Sequence, residues 1–172
     1  MSIGAFFLHL LMEHIHFRQI QESDNQSIAV IIRTSLAEFG ANKPGTVYYD
    51  PTTDDLYNLF QTKGSVYFIA ELNGNIVGGA GIYPTNNLPQ CYCELVKMYL
   101  SKEVRGLGLG RHLIEKCLQW AKENNYTHCY LETMPELRKA VSVYEKFGFS
   151  YLNGPLGNSG HFGCDVWMIK EL

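Results

Sequence analysis

The chain has 172 residues, the length of one folding domain. Hydrophobic residues at 46% and charged residues at 18% exclude a disordered chain, and a formal net charge of −3 supplies no basic face for nucleic acid. Five cysteines, at 91, 93, 117, 129 and 164, form neither a C-x-x-C pair nor an even disulfide framework, so they read as reduced, partly buried thiols of a cytoplasmic protein.

The apolar run Ile3 to Met12 is too short to cross a bilayer, and no basic n-region or small-residue cleavage site accompanies it. We expect an N-terminal extension over residues 1–11, a single domain over 12–172 and no membrane association. His14 to Ile20 alternates and predicts a first strand. Ser23-Asp24-Asn25-Gln26 has the form of a capping box, and Ile28, Ile32, Ser35, Leu36 and Phe39 continue at helical spacing until Gly40 ends the helix. Asp50-Pro51 offers an N-cap and a first-turn proline for a short second helix carrying Leu56, Leu59 and Phe60. Ser65 to Leu72 and Ile76 to Tyr83 are β-rich runs joined by Asn73-Gly74, a two-residue hairpin turn.

Cys91 to Leu100 predicts another strand, and from Gly108 the period turns helical, with Leu109, Leu113, Cys117, Trp120 and Ala121 on one face. A strand over Thr127 to Thr133, a helix over Glu136 to Phe147 and closing strands near 149–152 and 163–169 complete the chain. The order β-α-α-β-β-β-α-β-α-β-β implies an α/β (α+β) fold, a mixed sheet with helices on both faces.

The chemistry concentrates where the strand Glu94 to Leu100 runs into Ser101-Lys-Glu-Val-Arg105-Gly-Leu-Gly-Leu-Gly110-Arg111 and opens a helix. The first amides of a helix lack intrahelical partners and carry partial positive charge, and glycine lets a ligand approach the backbone closely, which together suit a phosphate. No Gly-Lys-Ser/Thr follows, so this is not a P-loop, and the dinucleotide pattern G-x-G-x-x-G fails from either Gly106 or Gly108.

Arg105-x-x-Gly108-x-Gly110 does resemble the acetyl-CoA-binding motif of the GNAT superfamily of acyl-CoA-dependent N-acetyltransferases. The strand before it, Tyr130-Leu-Glu-Thr133 and Ala140-x-x-x-Tyr144-Glu-Lys-Phe-Gly148-Phe149 sit where that family places them. The resemblance covers the chain except its N-terminal extension. It implies a mostly antiparallel sheet with a V-shaped splay between the fourth and fifth strands. The pantetheine arm would lie in the splay and pair with backbone around Met98, Tyr99 and Leu100. The pyrophosphate would rest on the amides of Arg105, Gly106, Leu107, Gly108, Leu109, Gly110 and Arg111, and an N–H near Met98 would polarise the thioester carbonyl.

The same resemblance implies Glu94 as general base and Tyr144 as the acid facing the CoA sulfur. Thr133 stands where many members carry an Asn beside the cofactor arm. The implied activity is transfer of an acetyl group from acetyl-CoA to a primary amine, on a small molecule or a protein, by direct attack in a ternary complex; the absence of an obvious Cys–His nucleophile agrees. A non-catalytic acyl-CoA-binding sensor or partner domain is the rival, and a different nucleotide-phosphate enzyme a second. Many members are dimers, so a homodimer is possible. Elsewhere, His14 and His16 are expected on an exposed strand face, Asp54 and Asp55 in a helix first turn, and His112 toward solvent. Tyr48, Tyr49, His161 and Phe162 either line the acceptor site or pack their loops.

Overall fold

Alternation decides the central strands. In β2 (Val66–Leu72), Val66, Phe68 and Ala70 join one hydrophobic cluster while Tyr67 and Ile69 join another, so both faces of the sheet are covered. The computed structural model describes residues 14–172, and the extension expected over 1–11 lies outside them. Seven strands form one sheet in the order β1-β2-β3-β4-β5-β7-β6, with β1 Ile15–Gln19, β3 Asn75–Tyr83, β4 Tyr92–Leu100, β5 His128–Thr133, β6 Ser150–Leu152 and β7 Val166–Glu171. Every neighbouring pair is antiparallel except β4 and β5.

Helices α1 (Asn25–Glu38) and α2 (Leu56–Leu59) bury Ile28, Ile32, Leu36 and Leu56 against Tyr67 and Ile69. On the other face, α3 (Leu109–Glu123) contributes Leu109, Leu113, Ile114 and Cys117, and α4 (Arg138–Lys146) contributes Tyr144. This is the mixed sheet with helices on both faces that the element order implied. The β2–β3 turn is Asn73-Gly74, both residues at positive φ (52° and 77°). Gly40 closes α1 as expected: its N–H donates to Ala37 O and the Ala41 N–H to Leu36 O, at 3.1 and 2.9 Å.

Three local expectations are corrected. Ser23 is not the cap of α1. It lies in a 3-10 turn, Glu22–Asp24, and the N-cap is Asp24. Asp24 is buried, so its charge needs partners. Arg18 supplies two hydrogen bonds at 2.6 and 2.9 Å, and the Gln21 N–H a third at 2.7 Å. The helix expected after Asp50 is split into a 3-10 turn, Pro51–Asp54, and α2, because Asp55 leaves helical dihedrals (φ −139°, ψ 56°). Leu137 (φ −90°, ψ 40°) similarly divides the last helix into a 3-10 turn, Pro135–Leu137, and α4.

Two features of β4 position the site. Register places Gly79 opposite Tyr99 but Gly81 opposite Val96, so two β4 residues, Lys97 and Met98, oppose one β3 residue; Lys97 takes φ 49° in this bulge. On its other edge β4 pairs with β5 only through Tyr92–His128, Cys93–Cys129 and Glu94–Tyr130. Beyond Glu94 the two strands part, which is the splay expected between the fourth and fifth strands.

Candidate active site

A cavity of about 480 Å³ occupies that gap, bounded by Leu95 to Leu100 on one side, Glu132 to Met134 on the other, and Tyr144 from α4. Its far wall is the glycine turn. Gly108 is the N-cap of α3 at φ 90°, a conformation that costs an L-residue roughly 1–2 kcal/mol, so glycine is what allows the strand to turn into the helix here. The N–H groups of Gly106, Gly108, Leu109, Gly110 and Arg111 have no acceptor among the described residues. Those of Arg105 and Leu107 are used by the turn itself, donating to Lys102 O and Val104 O at 3.4 Å each. Five of the seven amides expected to grip a diphosphate are therefore free, and two are not.

The side chains divide in the same way. Arg105 is no free cation. It donates to Leu100 O at 2.9 Å, Ser35 Oγ at 2.9 Å and Glu38 at 2.5 Å, and stacks over Phe39, so it ties the turn to α1. Leu100 O, accepting from both Arg105 and Ser35, is already engaged. Leu109 is wholly buried and Leu107 packs against the core, so neither side chain lines the cavity. Met98, Tyr99, Leu100, Gly106, Gly108, Gly110, Arg111 and Thr133 do line it.

Glu94 is the last β4 residue paired to β5 and is only 3% exposed. Burial pushes its carboxyl up to about 8; a hydrogen bond from the Thr85 hydroxyl opposes this, the negative Glu132 adds to it and Lys97 draws it back. A carboxyl in that range is poised to exchange a proton near neutrality. Tyr144, also buried, points its hydroxyl at Met98 Sδ, 3.8 Å away, and burial raises its pKa, so it keeps its proton.

A second cavity of about 490 Å³ lies beside the first, and Thr46, Glu94, Val96, Lys97 and His161 border both. It is assembled from distant segments. Lys97, buried in the bulge, donates to Asp50 at 2.5 Å and to Thr53 at 3.3 Å, and His161 Nε2 lies 3.2 Å from the same Asp50 oxygen. Burial works against Asp50's charge, but His161, Lys97 and Thr52 outweigh it and hold the carboxyl far below the usual range. Burial likewise draws Lys97 down while Asp50 holds its proton on.

The sequence left Tyr48, Tyr49, His161 and Phe162 open between lining and packing. Tyr49, His161 and Phe162 line the second cavity, and Tyr48 packs against the α1–α2 cluster. Asp54 pairs with Arg33, Asp55 bonds Asn25 and Asn58, His112 stacks on Phe17, and His14 and His16 are exposed. Sequence reasoning missed Lys97, Thr85, Glu132 and the second role of Asp50. Only Lys97 left a signal, a lone cation inside the apolar run of β4.

A parted parallel strand pair, a glycine turn with free amides and a buried carboxyl thus meet in one place. Residues 32–149 match the model of the acetyltransferase (GNAT) family, and the chain belongs to that family. The chain is 40% identical to the uncharacterized N-acetyltransferase YjgM of Escherichia coli over 157 residues, covering 90% of this chain and 93% of the relative. In fold it is similar to a GNAT-family acetyltransferase of Staphylococcus aureus, with a TM-score of 0.81, 22% identity and coverage of 91% of this chain and 98% of the other. It also resembles a phosphinothricin acetyltransferase of Sinorhizobium meliloti in complex with AcCoA, with a TM-score of 0.72, 18% identity and coverage of 92% and 89%.

Proposed function

We propose that the protein transfers the acetyl group of acetyl-CoA to a primary amine by direct attack in a ternary complex. The observation that carries this reading is the position of Glu94, a buried carboxyl on the border of two separate cavities, one of which is backed by five unpaired amides. Acetyl-CoA would occupy the splay, with its diphosphate on the free N–H groups from Gly106 to Arg111 and its thioester beside Met98. The amine would enter from the second cavity.

Only a neutral amine has a lone pair, so the incoming ammonium first gives a proton to ionised Glu94, directly or through water. The amine nitrogen then attacks the thioester carbon, and main-chain N–H near the β4 bulge stabilises the carbonyl oxygen as it gains charge. As the oxyanion re-forms the carbonyl and the C–S bond breaks, the sulfur takes the electron pair and a proton from Tyr144, and the second proton leaving the now cationic amide nitrogen restores the Tyr144 hydroxyl. The Tyr144 hydroxyl already lies against a sulfur, that of Met98, and is otherwise unengaged among the described residues. Initial rates measured by thiol release against both substrates test the scheme. Intersecting double-reciprocal lines are expected, and parallel lines would mean an acetyl-enzyme intermediate instead.

A further inference from the structure

On that reading of the site, we propose that the acceptor is a small primary amine bearing an aromatic group and no carboxylate. The second cavity has Glu94 in its wall and three aromatic side chains, Tyr49, Tyr83 and Phe162, of which Tyr49 and Phe162 are 60% and 82% exposed. Phe162 has the highest exposure of the large hydrophobic residues described, and burying it would stabilise the chain, so its position outside the core needs a reason.

Its ring lies over Gly45 (φ 77°), so close that a Cβ there would stand 2.5 Å from two ring atoms. The next residue, Gly163, donates its N–H to Gly45 O at 2.8 Å. The preceding residue, His161, is fixed by Asp50 at 3.2 Å and by its N–H to Ser159 Oγ at 3.0 Å, and Ser159 donates to Glu132 at 2.6 Å. Tyr49 is braced edge-on by Tyr48, with ring centroids 5.0 Å apart. The rings of Tyr49 and Phe162, with Tyr83 bordering the same cavity, suit a flat apolar group attached to the attacking amine. A cavity of about 490 Å³ suits a small molecule.

Charge sets the second half of the assignment. The acidic and basic side chains bordering this cavity are Asp50, Glu94, Lys97 and His161. The ammonium of Lys97 is already neutralised by Asp50 and also bonded to Thr53. His161 faces the same Asp50 oxygen. An acceptor carboxylate would therefore enter beside Asp50 and Glu94 with no uncommitted cation to meet it, and an unpaired buried charge is strongly unfavourable.

The test compares kcat/KM with acetyl-CoA for phenethylamine, n-butylamine, spermidine, phenylalanine and phenylalaninamide. Phenethylamine should exceed n-butylamine about tenfold and phenylalanine about a hundredfold. Phenylalaninamide, which has the shape of phenylalanine without its charge, should fall with phenethylamine. Replacing Tyr49 and Phe162 together by Ala should collapse the phenethylamine-to-butylamine ratio toward one, and Phe162→Tyr should preserve it. Phenylalanine, butylamine or spermidine used as well as phenethylamine overturns the assignment while leaving acetyl transfer intact. Acetyl-CoA failing to bind by calorimetry overturns the transferase reading itself, and binding without acetylation of any of these amines overturns the acceptor assignment.

Discussion

The two cavities that meet at Glu94 are built by opposite means. The one in the splay sets largely apolar side chains, such as Met98 and Val143, beside main-chain donors, with free amides of a glycine turn on one wall, the edge of a strand on another, and a guanidinium, Arg105, spent on bracing the turn. The other is built from polar and aromatic side chains, with Asp50, Lys97, His161 and three aromatic rings brought in on four separate segments. A backbone site is fixed by the course of the chain and tolerates change in most of its side chains. A side-chain site changes with each substitution.

The hardest test of this division is Glu94, which belongs to both halves. Glu94→Gln should lower turnover near pH 8 by about a hundredfold or more, measured by thiol release. In the parent protein the rate should climb as pH rises through about 8, where Glu94 ionises. The same raised pKa acts on stability. Folded Glu94 holds a proton that the unfolded chain loses above 4.5, so its contribution is full below that pH and is lost as pH rises through about 8. Glu94→Gln should therefore melt higher than the parent at pH 9 and lose that advantage at pH 5, as read by thermal denaturation.

Lys97→Met strikes the side-chain half. It leaves the partly buried Asp50 with only His161 and Thr52 and should destabilise the protein by about 1–3 kcal/mol in urea unfolding. Because Lys97 draws the Glu94 pKa down, its loss should also move the ascending limb of the pH–rate curve to higher pH. Tyr144→Phe is narrower. Turnover should fall about tenfold, while melting and CoA affinity hold, since the hydroxyl's one contact is a weak 3.8 Å approach to Met98 Sδ. The smallest effect falls on the backbone half: Arg111→Ala should weaken CoA binding only about threefold by calorimetry, as an exposed ion pair is worth little, and Arg111 is 72% exposed and paired with Glu115. A hundredfold loss there would show that side-chain charge, not main chain, holds the diphosphate, and the contrast would fail.

The same contrast explains what the sequence made legible. The splay wall and glycine turn are one unbroken stretch from Glu94 to Arg111, so the glycine spacing was readable directly and the resemblance it carried implied the splay. The β-rich run of β2 and the Asn73-Gly74 turn were legible because they depend on neighbours in the chain. Asp50 and His161 share a hydrogen bond yet stand 111 residues apart, and nothing local marks such a meeting. Asp50 showed itself only as a helix cap, which it also is, bonding the Thr52 N–H at 2.9 Å. The commitment of Arg105 to Glu38 and Ser35 was hidden for the same reason, as were the dihedrals of Asp55 and Leu137, which shortened two helices.

The three residue pairs that join β4 to β5 have a mechanical consequence. The sheet is in effect two plates, β1 to β4 and β5 to β7, clasped along a short seam, and past Glu94 neither facing edge has a strand to complete it. A ligand arm threaded between them would act as a splint. Bound acetyl-CoA should therefore slow amide hydrogen exchange in Val96 to Leu100 and Leu131 to Thr133 more than in β1 or β2, and raise the melting temperature with its concentration.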